Sequence, residues 1–195
     1  IGKKAFQQTD IESIEIPEGV TSIGGLAFAH CENLERVIIP SSVTSLEGNE
    51  FRNCISLAKV EFSEGLTNIG GGTFSGCTAL ASLEIPASVT SIDDYAFYSC
   101  GALQNIVVDE GNTVYDSRGN CNALIETATN KLIAGSSNTV IPDDITVIGD
   151  AAFYECSGLT NIKIPASVTS IGRDAFYGCG GLMSIVVDEG NTVYD

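Results

Sequence analysis

The sequence predicts a β-rich solenoid. Turns of about 23 residues stack through parallel β-strands, joined by short turns or single helical turns, with one inserted β-hairpin. Three observations predict it. Phenylalanine recurs at Phe6, Phe28, Phe51, Phe74, Phe97, Phe153 and Phe176, in steps of 22, 23, 23, 23, 56 and 23. Cysteine follows three residues later at Cys31, Cys54, Cys77, Cys100, Cys156 and Cys179. An aliphatic residue stands five before each Phe, at Ile1, Ile23, Leu46, Ile69, Ile92, Ile148 and Ile171. Self-similarity at a fixed period of this length is the mark of an array of stacked units.

One unit runs from Leu80 to Cys100. Leu83-x-Ile85 alternates with period two and reads as a short strand with one buried face. Pro86 ends it, because proline cannot donate to a ladder. All the prolines of the chain, Pro17, Pro40, Pro86, Pro142 and Pro165, hold this register, and Ser63 and Asp109 take the slot in two other turns. Val89-Thr90-Ser91-Ile92 reads as a second extended piece, and Ala96-Phe97 to Cys100 as a tight turn or one helical turn. A single unit cannot bury its apolar side, whereas stacked units cover one another. Eight strand slots end near Ile16, Ile39, Phe62, Ile85, Val108, Ile141, Ile164 and Val187. Strands pack ~4.7–4.9 Å apart, so the rod is expected to be roughly 35–45 Å long.

The step of 56 holds one period of 23 and an insertion of 33. The insertion opens on the turn signal Asp109-Glu110-Gly111-Asn112. Ala123-Leu124-Ile125 and Lys131-Leu132-Ile133 read as strands joined across Thr127-Ala128-Thr129-Asn130. The expected organisation over 1–195 is thus one solenoid: a repeat block at 1–108, a hairpin insertion at 109–141, a second block at 142–188, and the start of a second insertion at 189–195. Ile185 to Asp195 repeats Ile106 to Asp116 letter for letter. Both ends therefore read as cuts through a longer array, and exposed core side chains there are expected to favour end-to-end self-association.

The formal charge of −16 and pI near 4.1 oppose binding to phosphate backbones, so nucleic acid is not an expected partner. No apolar run approaches the ~20 residues of a membrane helix, so direct membrane insertion is not expected. No segment reads as a signal peptide and the only Met is Met183, which fits a processed or excised chain.

The stretch Ile164-Pro165-Ala166-Ser167-Val168-Thr169-Ser170-Ile171-Gly172-Arg173-Asp174-Ala175-Phe176-Tyr177-Gly178-Cys179-Gly180-Gly181-Leu182 resembles the BspA-like, or Treponema pallidum-type, leucine-rich repeat. The resemblance covers nearly the whole chain through seven aligned copies. It implies a secreted or surface-anchored protein of anaerobic bacteria, associated with adhesion to host matrix proteins, other bacteria or host cells. It carries over no catalytic residue, because the family shares none.

The residues themselves offer little chemistry. Equivalent cysteines on adjacent turns lie about a strand spacing apart with parallel Cα–Cβ vectors, which disfavours disulfides. No clustered zinc-type spacing occurs, so the six aligned cysteines read as small apolar fillers and Cys121 as a lone thiol in the insertion. His30, the single histidine, sits in a slot that elsewhere holds Asn53, Gly76, Ser99, Glu155 or Gly178, and so reads as solvent-facing. No nucleophile elbow, P-loop or dinucleotide fingerprint is present. Asp109, Glu110, Asn112, Asp116 and Asn120 have calcium-type oxygens, but plain turn chemistry explains them equally well. No catalytic residue, metal ligand or cofactor is expected.

The candidate contact face is the outward side of the strands: Arg36, Ile38, Lys59, Glu61, Ser82, Glu84, Asn105, Val107, Asn161 and Lys163. Its alternative explanation is cross-strand packing of residues that suit a sheet. The inserted hairpin is expected to stay attached to the stack, not to form a second domain, and is a second candidate surface that either protrudes or caps locally. The leading expectation is an extracellular binding or adhesion module for a host or bacterial surface protein or glycan. The alternative is a passive stalk.

Overall fold

The computed structural model describes residues 1–194 and forms the expected solenoid of parallel strands and stacked turns. Asp195, the last letter of the repeated stretch, lies outside the described residues. In chain order the strands are β1 (Ser13–Glu15), β2 (Arg36–Ile39), β3 (Ser45–Leu46), β4 (Lys59–Phe62), β5 (Asn68–Ile69), β6 (Ser82–Ile85), β7 (Ser91–Ile92) and β8 (Asn105–Val108). They continue as β9 (Tyr115–Asp116), β10 (Leu124–Glu126), β11 (Lys131–Ala134), β12 (Val147–Ile148), β13 (Asn161–Ile164), β14 (Ser170–Ile171) and β15 (Ser184–Val187).

The longer strands make one row of parallel ladders, β1-β2-β4, β6-β8 and β13-β15. Their register follows the repeat, with Val37 beside Val60 and Ile39 beside Phe62. Alternation decides the faces: in β2 and β13 the second and fourth residues are buried and the first is exposed. The two-residue strands make a second row. β3-β5-β7 ladder together, and β12-β14 continue the row after the insertion. The ladder is not carried from β4 to β6. Phe62 is bulkier than the aliphatic residues elsewhere in its column, and its ring packs edge-on against Phe74 at 5.8 Å and 71°.

The Phe segment is a turn and not a helical turn. Each of these Phe residues stands between two left-handed residues, at the second position before it and the second after. Leu26 (φ 62°) and His30 (φ 60°) flank Phe28, and Ala151 (φ 52°) and Glu155 (φ 54°) flank Phe153. A right-handed helix cannot include them. They aim backbone amides along the rod: Phe28 N–H donates to Glu50 O on the next turn (2.9 Å) and His30 N–H to Arg52 O (2.7 Å). The rings stack in consequence. Phe6, Phe28, Phe51, Phe74 and Phe97 follow one another at 5.2, 5.3, 5.5 and 5.9 Å, within 5° of parallel. Phe153 and Phe176 form a second stack at 5.1 Å. Full burial of such a ring is worth roughly 1.5–3 kcal/mol.

The insertion stays attached to the stack, as expected, and two further expectations about it are corrected. It does not protrude. β10 and β11 pair antiparallel as the expected hairpin, but β9 pairs with β10, and β11 pairs in parallel with β12. The hairpin is therefore a coil of the stack itself. Leu124 belongs to the core built by the first block, while Ile125 and Leu132 belong to that of the second. So apolar a segment is stable only when buried on both sides, as strands inside α/β sheets are. The second correction is the slot ending at Ile141, which forms no strand. Thr139 Oγ1 and Ser136 Oγ donate to Asn122 O (2.7 and 2.9 Å), and Val140 N–H donates to Cys121 O (3.0 Å). These bonds tie the segment to the insertion and leave Val140 73% exposed.

The repeated Asp-Glu-Gly-Asn-Thr-Val-Tyr stretch acts as a clamp. Asn112 Nδ2 donates to Pro86 O and Val89 O, its Oδ1 accepts from Val114 and Tyr115 N–H, and Tyr115 Oη accepts from Ile92 N–H (2.8 Å). Asn191 and Tyr194 make the same bonds to Pro165, Val168 and Ile171.

Candidate functional site

The outward residues of the strand row fall on separate ladders. Arg36 lies beside Lys59 and Ile38 beside Glu61 on β2-β4. Ser82 lies beside Asn105 and Glu84 beside Val107 on β6-β8. Asn161 and Lys163 stand apart on β13, next to Ser184 and Val186. The row predicted as continuous is interrupted where Asn138–Ile141 fails to pair, so the structure gathers the first eight candidate residues and separates the last two.

Charges on this face answer one another. Glu61 Oε1 takes both Arg36 Nη2 (2.7 Å) and Lys59 Nζ (2.9 Å), bridging β2 and β4. Hydrogen bonds from Lys59 and Arg36 hold the Glu61 carboxyl below the usual range. Lys163 Nζ meets Asp188 Oδ1 at 2.7 Å, which raises the lysine. Exposed pairs of this kind add little to stability, because water and salt screen them. Two depressions mark the open seam between β4 and β6. One, of about 280 Å³, is lined by Lys59, Glu61, Ser82 and Glu84 among others. The other, of about 250 Å³, reaches from Phe62 and Glu84 to Val107 and Asp109. Val107 is 52% exposed at their edge.

The cysteines are free and buried, but they are more than fillers. Each aligned thiol within a continuous block donates to the carbonyl of the previous turn's Phe. Cys31 bonds Phe6 O, Cys54 bonds Phe28 O, Cys77 bonds Phe51 O, Cys100 bonds Phe74 O and Cys179 bonds Phe153 O, at 2.9–3.2 Å. Burial pushes Cys54 and Cys100 up to about 12, so both stay protonated near neutral pH and are poor nucleophiles. The only sequence sign of this ladder was the invariant spacing after Phe. His30 is half-buried, with Nε2 3.5 Å from Asn53 Nδ2.

In the acidic turn, Asp109 Oδ1 accepts from Gly111 N–H (2.8 Å), and the Asn112 amide is spent on the clamp. Burial works against ionisation of Asp116, but hydrogen bonds from Arg118 and Thr127 outweigh it and hold the carboxyl below its usual value. Arg118 also reaches Asn130 (2.9 Å) and Asp144, fastening the insertion to the second block. Among the described residues, no group of three or more His, Cys, Asp or Glu is placed to hold a metal.

Comparison with known proteins follows this geometry. The pattern described as "BspA type Leucine rich repeat region" matches residues 1–123 and 133–194 in 6 copies. No curated protein sequence matches the chain. Among solved structures, the pneumococcal vaccine antigen PcpA is similar at 23% identity and a TM-score of 0.78, covering 97% of this chain and 48% of that one. A leucine rich cell surface protein from Faecalibacterium prausnitzii is 29% identical with a TM-score of 0.57, covering 95% of this chain and 64% of the other. The T. pallidum leucine rich repeat protein TpLRR is 25% identical with a TM-score of 0.61, covering 94% and 71%. The chain thus spans about half the length of the pneumococcal protein, whose likeness concerns fold alone.

Proposed function

The chain belongs to the BspA-type leucine-rich repeat family, and on that premise we propose that it is a non-catalytic binding module of a bacterial cell-surface protein. Its ligand on this reading is a protein or glycan of a host or neighbouring cell, met outside the cell. The description of the Faecalibacterium relative as a cell surface protein supports the location. The observation that carries the reading is the seam between β4 and β6. There the sheet opens into two depressions, rimmed by Lys59, Glu61, Ser82, Glu84 and the exposed Val107. Mixed charge around an apolar contact on a rigid sheet is what a recognition surface needs.

The test is capture of host matrix proteins, glycans and neighbouring bacteria by the immobilised chain. It is compared with a triple variant, Lys59→Ala, Glu84→Ala and Val107→Ala. The reading expects at least one partner to be captured, with affinity lowered about tenfold or more in the variant at unchanged melting temperature. A partner bound equally by both proteins would refute this surface.

A second reading, a passive spacer, is favoured by one observation: Arg36 and Lys59 are already spent on Glu61, and Lys163 on Asp188. It expects no capture by either protein.

A further inference from the structure

A second surface lies on the turn side, away from the strand row. The residue after each aligned Phe is Gln7, Ala29, Arg52 and Ser75 in the early turns, and Tyr98, Tyr154 and Tyr177 in the last three. The insertion separates Tyr98 from Tyr154 in sequence, yet their rings meet at 3.9 Å. Tyr177 stacks on Tyr154 at 5.0 Å. Tyr95, in the left-handed position before Phe97, meets Tyr98 edge-on at 5.7 Å and 76°. Four of the chain's six tyrosines thus form one surface ladder across the joint between the blocks.

This ladder is not core. Tyr95 is 48% exposed and Tyr177 59%, while Tyr98 and Tyr154 are half-buried and cover each other. Beside it runs a groove of about 580 Å³ whose walls include Ser99, Ala102, Glu155, Ser157 and Tyr177. The surround is acidic. Asp93, Asp94, Asp150, Glu155 and Asp174 are all exposed, and none forms an ion pair among the described residues. Asp150 Oδ1 accepts from the backbone N–H of Arg173 at 2.7 Å, so its charge is uncompensated by that contact. The neighbouring Tyr98 phenol pushes Tyr154 up to about 12.

Aromatic faces bind cations most strongly when carboxylates share the site, and arginine adds planar stacking that lysine lacks. Tyrosines clustered on a rigid frame are also the commonest anchors of protein interfaces. A neutral glycan could hydrogen-bond to the carboxylates but would leave their charge unbalanced, whereas a cationic partner would neutralise it. We propose that the tyrosine ladder and its acidic surround form a docking site for an arginine-rich segment of another protein. The guanidinium groups lie on the open faces of Tyr95 and Tyr177, and the carboxylates of Asp93, Asp94, Glu155 and Asp174 supply the counter-charge. The site shares no residue with the strand-row surface, so either can fail without the other.

The probe is a fluorescent nine-residue arginine peptide, with nine-residue lysine and neutral peptides as controls, titrated into the 195-residue chain at physiological salt. The chain has no tryptophan and four of its six tyrosines are in the ladder, so quenching of tyrosine emission that is lost in the tyrosine variant reports the ladder. The expected result is a preference for arginine over lysine of about threefold or more, with quenching. The double variant Tyr95→Ala, Tyr177→Ala should bind about tenfold more weakly. A second variant, Asp93→Asn with Asp94→Asn, leaves every ring in place and should weaken binding and steepen its loss with salt less than in the parent. Equal binding of arginine and lysine peptides, or equal binding by the tyrosine variant, would mean only diffuse attraction to an acidic protein and would overturn the proposal. Tyrosine-dependent binding of a neutral oligosaccharide would also overturn it.

Discussion

Left-handed residues on either side of each buried Phe are the feature on which the turns depend. Gly72 (φ 70°) and Gly76 (φ 77°) fill both positions around Phe74, where glycine suits the backbone. At Ala151 (φ 52°) the same conformation is held by a residue with a Cβ and no compensating side-chain bond. Left-handed geometry costs an L-residue roughly 1–2 kcal/mol, and the extra unfolded-state freedom of glycine takes back about 0.5–1. Ala151→Gly should therefore stabilise the chain by about 0.5–1 kcal/mol, read as a higher urea midpoint at constant slope. Gly76→Ala should do the reverse, because its Cβ would also lie 2.1 Å from Asn53 Oδ1. These positions were hidden in the sequence. The slot before Phe holds Asn49 and Gly72 in two turns but Lys4, Leu26, Tyr95 and Ala151 in others, and propensity cannot flag a conformation imposed there by neighbouring turns.

At the scale of the element, the insertion owes its place to Gly135. Its N–H donates to Ala152 O (2.8 Å), the role Phe N–H plays in ordinary turns. It also lets the insertion's backbone lie against the Phe153 ring: a Cβ on Gly135 would sit 2.0 Å from that ring's Cε1. Phe153 is fully buried and cannot retreat. Gly135→Ala should cost about 2–3 kcal/mol, at the upper end of the usual range for overpacking, with the loss centred on the second block. A denaturation midpoint within error of the parent would contradict this role. The hairpin strands themselves were legible from Leu124-Ile125 and Leu132-Ile133 flanking a polar turn. Their depth was not, because adjacent apolar residues do not say whether one face or two are covered. Leu124 and Ile125 point to opposite faces, as alternation requires, and each face meets a different core.

The molecule is two stacked cores joined by a built-in partition. The first runs from Ile16 to Val108 and takes in Tyr115, Leu124 and Ala134; the second runs from Cys121 to Cys179. The period of Phe, Cys and aliphatic residues made this architecture readable, since each slot is filled by burial against its own copy one turn away. The strand-face candidates were readable as outward positions by alternation alone. Their division among three ladders was not: the ladder stops at β4, where Phe62 turns edge-on to Phe74, and Ser136 and Thr139 divert the slot ending at Ile141. The tyrosine ladder escaped the pattern for a related reason: its slot is polar or small in the early turns, and its two halves are far apart in sequence. The most direct test of coil-on-coil stacking is a set of nuclear Overhauser contacts among the eight phenylalanines in chain labelled at Phe alone. The account predicts ring-to-ring contacts in the order Phe6, Phe28, Phe51, Phe74, Phe97, a break, and then Phe153 to Phe176, with Phe62 touching Phe74 edge-on from the side. Rings that touch out of this order, or Phe28, Phe51 and Phe74 with no contact between neighbours, would contradict it.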